Sequence, residues 1–416
     1  MRVWLLTVGE PLPTDQPKSR GWRTAMLAEQ LVARGHQVVW WTSAFDHFNR
    51  RLRTPVNVPI PLGSHLTLWQ LEGATYRRNV SLARMRNHWQ VARAFRKLAA
   101  MQTAPDVIVS SLPTVELCAE AVDYARIRNI PVALDIRDLW PDVVLDLMPR
   151  PLRPAGRVAT WPMRRQLIRA ASGATALLGL TDEFVQWARD AAGREAGPWD
   201  RVFPMAYSST PPPADELKRA KGFWDRLGID GRDPIVCFFG TLGWMFDFET
   251  VVAAAALLRA RQSPARFVLC GGGERMELLR RQSDGAANVI LAGRVGQAEI
   301  WELMRRSIAG LAPYRSFRNF DDNLPNKPIE YLSASLPIIA SDVKVLRRLL
   351  TEHECGITYR HGDAVGLADA VSRLLSSAER RESMSRRAHR LYQSKFVAEQ
   401  VYRQMALHLE TVARRR

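Results

Sequence analysis

Two adjacent carboxylates, Asp321 and Asp322, are followed at short range by Lys327 and Glu330. All four lie in residues 320–342, FDDNLPNKPIEYLSASLPIIASD. Pro325 and Lys327 lead into a helix expected to begin near residues 328–330, and Ser335-Leu336-Pro337 ends it. The apolar run 337–340 then reads as a buried parallel strand. On this layout Glu330 sits in the first helical turn and Asp322 in the loop before it. Free backbone N–H groups and Lys327 suit a phosphate, whereas carboxylates repel phosphate but accept hydrogen bonds from sugar hydroxyls. A ligand carrying both phosphates and sugars, a nucleotide-sugar, satisfies all of these groups.

An acidic residue, a seven-residue gap, Glu330, a helix and a PIIAS strand together resemble the donor-site signature of retaining family 4 glycosyltransferases of the GT-B fold. Those enzymes usually carry Glu at both acidic positions, and this chain has the shorter Asp322 at the first. A second motif, Asp135-Ile136-Arg137-Asp138-Leu139-Trp140-Pro141-Asp142, follows an apolar strand. Its DxRDxWP pattern resembles the subset of that family that builds bacterial surface polysaccharides.

The resemblance implies an α/β GT-B architecture, two Rossmann-like domains facing each other across a cleft. It implies hexosyl transfer, with retention, from a nucleotide-diphosphate sugar to a hydroxyl acceptor in polysaccharide or glycoconjugate synthesis. The expected catalytic residues are Asp322, Lys327 and Glu330. Glu330 would hold the ribose hydroxyls, Asp322 would accept from the donor sugar, and Lys327 would meet the diphosphate. Gly240, Thr241 and Gly243, after an apolar strand, belong to a loop expected beside the diphosphate, because glycine lets backbone approach a phosphate closely. Many family members add an Arg and a Lys there. This chain has Thr241, Trp244 and Asp247, so Lys327 and Arg294 are the expected substitutes. Gly272, within Gly271-Gly272-Gly273, and Asn323 and Leu324 complete the expected donor site. The triple glycine reads equally as a tight strand-to-helix turn. Gly9, Glu10, Arg137 and Asp138 are the acceptor or cleft candidates. Arg137 with Asp135 or Asp138 is alternatively an ion pair holding its loop, and Glu10 alternatively a solvated loop acid.

The elements that must position these residues alternate. Apolar runs at residues 2–8, 37–42, 106–110, 131–135 and 174–180 read as strands, with helices at 24–34 and 116–128. Arg20-Gly21-Trp22-Arg23-Thr24 leads into the first helix. After Thr210-Pro211-Pro212-Pro213, a stiff linker, the alternation restarts at 235–239, 267–270, 289–292, 308–312 and 337–340. This pattern predicts parallel, doubly wound sheets, which bind ligands at the carboxyl ends of their strands. At 416 residues the chain is too long for one ordinary core. The expected domains are residues 1–209 for the acceptor and 210–395 for the nucleotide-sugar. A terminal helix at 396–416 is expected to cross back to the first domain.

Composition excludes some classes. No apolar run is long enough to span a bilayer. Cys118, Cys237, Cys270 and Cys355 are scattered and lack metal-ligand spacing, which reads as reduced core cysteines of a cytoplasmic protein. No DxD motif is present and no metal or other cofactor is implied; the nucleotide-sugar is a substrate. The net charge of +17 is uneven, with nine Lys/Arg against the single acid Glu72 in residues 51–100. Residues 76–100 interleave Arg77, Arg78, Arg84, Arg86, Arg93, Arg96 and Lys97 with Leu82, Met85, Trp89, Val91 and Phe95. Such a helix suits an anionic membrane surface and a lipid-linked or glycan acceptor at the inner leaflet, or is a core helix with a solvated basic face. Two other readings stay open: a nucleotide-sugar 2-epimerase on the same fold, and a basic nucleic-acid-binding protein. No nucleic-acid motif accompanies the charge, so nucleic acid is not an expected partner.

Overall fold

The structure is a computed structural model that describes residues 1–15 and 21–414, so Arg20 lies outside the described residues. Contacts divide the chain into two units, Met1–Pro204 with Glu399–Arg416, and Met205–Ala398. The division falls ahead of the Pro211-Pro212-Pro213 run.

In the first unit the strands are β1 (Arg2–Leu6), β2 (Gln37–Ser43), β3 (Phe45–Asp46), β4 (Arg51–Leu52) and β5 (Pro59–Pro61). They continue with β6 (Leu66–Leu71), β7 (Val107–Ser111), β8 (Val132–Ile136), β9 (Ala176–Gly179) and β10 (Arg201–Val202). The main sheet runs β10-β9-β8-β7-β1-β2-β6-β5, with β3 and β4 forming a separate antiparallel ribbon. Among the described residues, β5 is the only strand that runs antiparallel in the main sheet. The strands β7 and β8 are buried at every position, as expected of strands covered on both faces. Chain order reverses between β1 and β7, so the loop holding Gly9 leaves at the carboxyl edge of the switch point, and Arg137 leaves the same edge after β8, the strand beside β7. Beneath helix Leu82–Ala99, an aromatic core joins Trp4 to Trp41 at 5.2 Å, Trp41 to Trp69 at 5.0 Å and Trp41 to Phe95 at 5.3 Å.

Several elements of this unit are absent from the sequence expectations, among them β6 and helix Arg153–Gly173. Strand β6 carries Gln70 at a fully buried position, which disguises its apolar run. Helix Arg153–Gly173 contains Pro154, Gly156 and Pro162. Pro154 falls in the first turn, where its missing N–H would have no helical partner. Pro162 lies on an exposed face, where water can satisfy the carbonyl it leaves without a donor.

The second unit holds β11 (Ile235–Phe239), β12 (Arg266–Cys270), β13 (Val289–Gly293), β14 (Ser307–Ala312), β15 (Ile338–Ser341) and β16 (Gly356–Tyr359). They pair in the order β13-β12-β11-β14-β15-β16, all parallel, with the reversal between β11 and β14. This is the doubly wound dinucleotide-fold order. Helix Asn326–Ser333 is pinned on β14 by Tyr331, whose hydroxyl donates to the Leu311 carbonyl at 3.0 Å. Its ring fills the space over Gly310, where a Cβ would come within 2.1 Å of it.

The last helix, Ala398–Ala413, belongs to the first unit apart from its initial residue. Tyr402, Met405, Ala406, Leu409 and Val412 are buried at helical spacing. On its polar side Glu410 accepts from Arg34 at 2.7 and 3.0 Å and meets His36 at 2.8 Å. Hydrogen bonding from Arg34 holds the Glu410 carboxyl down at about 2.

A buried ion network ties the start of the first helix to β8. Arg23, fully buried, donates to Asp135 at 3.0 and 2.9 Å and to the carbonyls of Phe203 and Pro204 at 2.9 and 3.1 Å. Burial alone would push the Asp135 carboxyl up, but Arg137 and Arg23 outweigh it and hold it at about 2. Replacing Arg23 by Met leaves Asp135 buried beside one guanidinium instead of two. Urea unfolding of Arg23→Met should show a loss of about 3–5 kcal/mol, the usual effect of breaking a buried pair. Both Asp135 and Glu410 have folded values below their unfolded ones, so their stabilisation is present above about pH 4.5 and lost as pH falls towards 2. Melting temperature should drop through that window, and the drop should be shallower in Glu410→Gln.

Candidate functional site

Three loops meet at the carboxyl edge of β11, β12 and β14. The Gly240 amide donates to the Cys270 carbonyl at 2.9 Å and the Leu242 amide to the Gly272 carbonyl at 3.0 Å. The loops approach so closely that a Cβ on Gly271 would lie 1.7 Å from the Gly240 oxygen, and Gly271 has φ +142°. Only glycine fits there. The amides of Gly240 and Leu242 are thus taken, and among the described residues Thr241 and Gly243 donate to no protein acceptor. Glu274 closes the turn by accepting from the Trp244 amide at 3.1 Å.

Two cations flank these loops. Lys327 lies across Gly240, where a Cβ would come within 2.4 Å of its Cε. Its ammonium stands 4.9 Å from the Phe246 ring centre and 5.5 Å from that of Phe238. Arg294 emerges after β13 and passes over Gly272, with its Nε 3.1 Å from where a Cβ would sit. It is exposed and has no acidic partner among the described residues.

The helix carrying Lys327 begins at Asn326, ahead of the expected start, with Pro325 as its N-cap. Glu330 is therefore one turn inside the helix, a correction to its expected first-turn position, and it is only 5% exposed. Its charge faces the Tyr314 hydroxyl, whose pKa is raised by burial first and by Glu330 second. Asp322 is not in plain loop but caps a helical turn, Arg318–Asp321. Its carboxylate pairs with Lys344 at 3.0 Å and with Arg318 at 3.5 Å. Leu324 and Asn323 are buried, and the Asn323 side-chain amide oxygen Oδ1 meets no hydrogen-bond donor among the described residues.

Sequence reasoning missed the aromatic bed beneath this segment. Phe320 lies 4.9 Å from Tyr314 and 4.6 Å from Phe317, and Phe317 lies 5.5 Å from the half-exposed Trp244. The signal was available, since aromatic residues recur at 244, 246, 314, 317 and 320, all ahead of the acidic pair.

In the first unit, Gly9 has φ +91° and turns the chain after β1. Glu10 is buried and accepts from the Thr24 amide at 3.1 Å, from the Thr24 hydroxyl at 3.0 Å, and from Arg137. Arg137 also donates to Asp135 at 2.6 Å and to Thr24 at 3.1 Å. These contacts give Arg137 the loop-holding role that was one of its two readings, and they correct the solvated-loop-acid reading of Glu10, which is buried among Thr24 and Arg137. Asp138 stands apart from that network. One of its oxygens is buried without a donor among the described residues, and burial pushes its carboxyl up to about 6. Arg84 opposes that shift from helix Leu82–Ala99. The structure brings Lys327, Glu330, Arg294 and the glycine loops together, and Glu10, Arg137 and Asp138 lie in the other unit.

Residues 223–391 match the family described as glycosyl transferases group 1. The chain is 29% identical over 245 residues to alpha-D-kanosaminyltransferase of Streptomyces kanamyceticus, covering 58% of this chain and 60% of that one. Among solved structures, sucrose-phosphate synthase from Thermosynechococcus elongatus superimposes with a TM-score of 0.73 at 17% identity, covering 99% and 98% of the two chains. Anabaena HepE in complex with UDP-glucose does so at 0.65 and 13% identity, covering 99% and 100%. The chain therefore has the GT-B fold, two Rossmann-like units, and over residues 223–391 it carries the sequence pattern of group 1 glycosyl transferases.

Proposed function

We propose that this chain is a retaining glycosyltransferase that moves a sugar from a nucleotide-diphosphate donor to a hydroxyl of a glycan or lipid-linked acceptor. The observation that carries it is the convergence of two glycine loops, Lys327, Arg294 and buried Glu330 at one carboxyl edge. The family match of residues 223–391 and the UDP-glucose complex of a similarly folded protein support the donor class.

In this reading the diphosphate lies along residues 240–243, taking the Thr241 and Gly243 amides. Lys327 and Arg294 neutralise the charge that develops on it as the sugar departs. Positioning and preorganised charge are the protein's contribution, and the leaving diphosphate helps deprotonate the acceptor on the same face. Glu330, fixed one turn into its helix, accepts from the ribose hydroxyls. Asp322 accepts from the donor sugar while Lys344 holds its carboxylate in place. Asp138 and the loop around Arg137 belong to acceptor recognition, with Arg137 shaping the loop.

The acceptor reading places the enzyme on the cytoplasmic membrane face. Helix Leu82–Ala99 exposes Arg86, Trp89 and Arg93 along one side, and Leu82 is 82% exposed. No helix among the described residues is long and apolar enough to cross a membrane. Attraction to anionic lipid would hold the protein at the surface reversibly.

Release of nucleoside diphosphate from a panel of nucleotide-sugars tests the donor site. Lys327→Ala should lose about 100-fold or more in turnover, because it removes charge stabilisation that grows towards the transition state. Glu330→Ala should lose less in turnover and more in donor binding. Wild-type turnover in either purified variant would remove the assignment.

A further inference from the structure

The basic helix Leu82–Ala99, which starts later than the expected 76–100, has a counterpart that the sequence did not reveal. Helix Arg153–Gly173 lies in a stretch, residues 147–181, with six arginines and no acidic residue. Val158, Trp161, Arg165 and Ile168 recur at helical spacing on its open side. Val158 is 77% exposed and Trp161 56%, matching Trp89 at 55% on the other helix. Each exposed tryptophan carries a guanidinium over its ring, Arg165 at 4.8 Å from Trp161 and Arg93 at 5.4 Å from Trp89.

The two helices flank helix Val115–Arg128, and both pack against it. The acids of that middle helix are consumed between its neighbours. Glu120 accepts from Arg96 of the first helix at 2.6 Å and faces Arg169 of the second at 3.8 Å, while Asp123 takes Arg169 at 2.6 Å. Arg86, Arg93, Arg157 and Arg165 are left with no acidic partner among the described residues. The outer layer therefore presents unneutralised arginines interspersed with single exposed aromatic and aliphatic side chains. Tryptophan prefers the headgroup level of a bilayer, and arginine beside it reaches lipid phosphates.

We propose that helices Leu82–Ala99 and Arg153–Gly173 form one two-pronged docking surface for anionic phospholipid, with Trp89 and Trp161 as its interfacial anchors. The inference rests on the membrane reading of residues 76–100 and extends it to a second element. Two prongs on one rigid layer set an orientation, which one helix alone would leave free to roll.

Co-sedimentation with phosphatidylcholine vesicles, with and without phosphatidylglycerol, tests this. Arg157→Glu combined with Arg165→Glu changes only exposed side chains, so the melting temperature should stay at the wild-type value. Binding to phosphatidylglycerol vesicles should fall about 25-fold or more, at roughly fivefold for each arginine lost near the surface. Trp161→Ser alone should also weaken it. The paired variant Arg86→Glu with Arg93→Glu should produce a similar loss. If the first pair binds like wild type while the second loses binding, the two-pronged surface is overturned and docking by residues 76–100 stands. Wild-type binding in both pairs overturns both readings. Binding of a single-stranded oligonucleotide in place of the vesicles, lost in the same variants, overturns the lipid assignment.

Discussion

The candidate donor site depends on how closely three backbone loops can approach one another. Gly271 lies against the Gly240 carbonyl at a distance that no side chain tolerates, and Gly240 in turn leaves the space that Lys327 occupies. Removing Cβ atoms at these points lets backbone amides and a lysine ammonium share a small volume. Tyr331 then fixes the helix that supplies Lys327 and Glu330 by filling the hollow above Gly310. Glycine thus acts here through what it omits, and each omission is answered by a specific neighbour. The same closeness explains why only alternate amides of the turn remain open to a ligand.

The first unit uses charge for a different purpose. Arg23, Asp135, Arg137 and Glu10 form a chain of buried and half-buried ions in which each carboxylate meets two donors or more. Buried ions are tolerable when fully paired, and their value lies in specifying one geometry for the β1 and β8 loops. Asp138, next to this chain but outside it, is a carboxyl that burial makes hold its proton more tightly than usual, up to about 6. At the surface the logic reverses, because Arg86, Arg93, Arg157 and Arg165 of the outer helices have no acidic partner among the described residues and their field is directed outward.

Much of the fold was legible in the sequence because its strands are short apolar runs with polar helices between them. Ile235–Phe239 coincides with its expected span, and most other anticipated strands shift at an end by a residue or two. Helix Arg153–Gly173 was illegible because proline punctuates it, and the structure shows that both prolines sit where a missing donor does no harm. Glu330 stood out in the sequence as a candidate site residue, but its depth in the helix did not, since one cap position decides it. Arg137 was readable as an ion pair holding its loop, because Asp135 lies two residues away. The burial of Glu10 was not readable, because its partners Thr24 and Arg137 are distant from it in sequence.

The most direct measurement of the central claim is the melting temperature of the purified protein with each of several nucleoside diphosphates. A ligand that binds only the folded state raises the midpoint as its concentration exceeds the dissociation constant. The account predicts a saturable rise with at least one nucleoside diphosphate, and a smaller rise in Arg294→Ala, whose exposed guanidinium has no role in packing. No shift with any of them, or an undiminished shift in Arg294→Ala together with Lys327→Ala, would contradict the placement of a diphosphate between the two glycine loops.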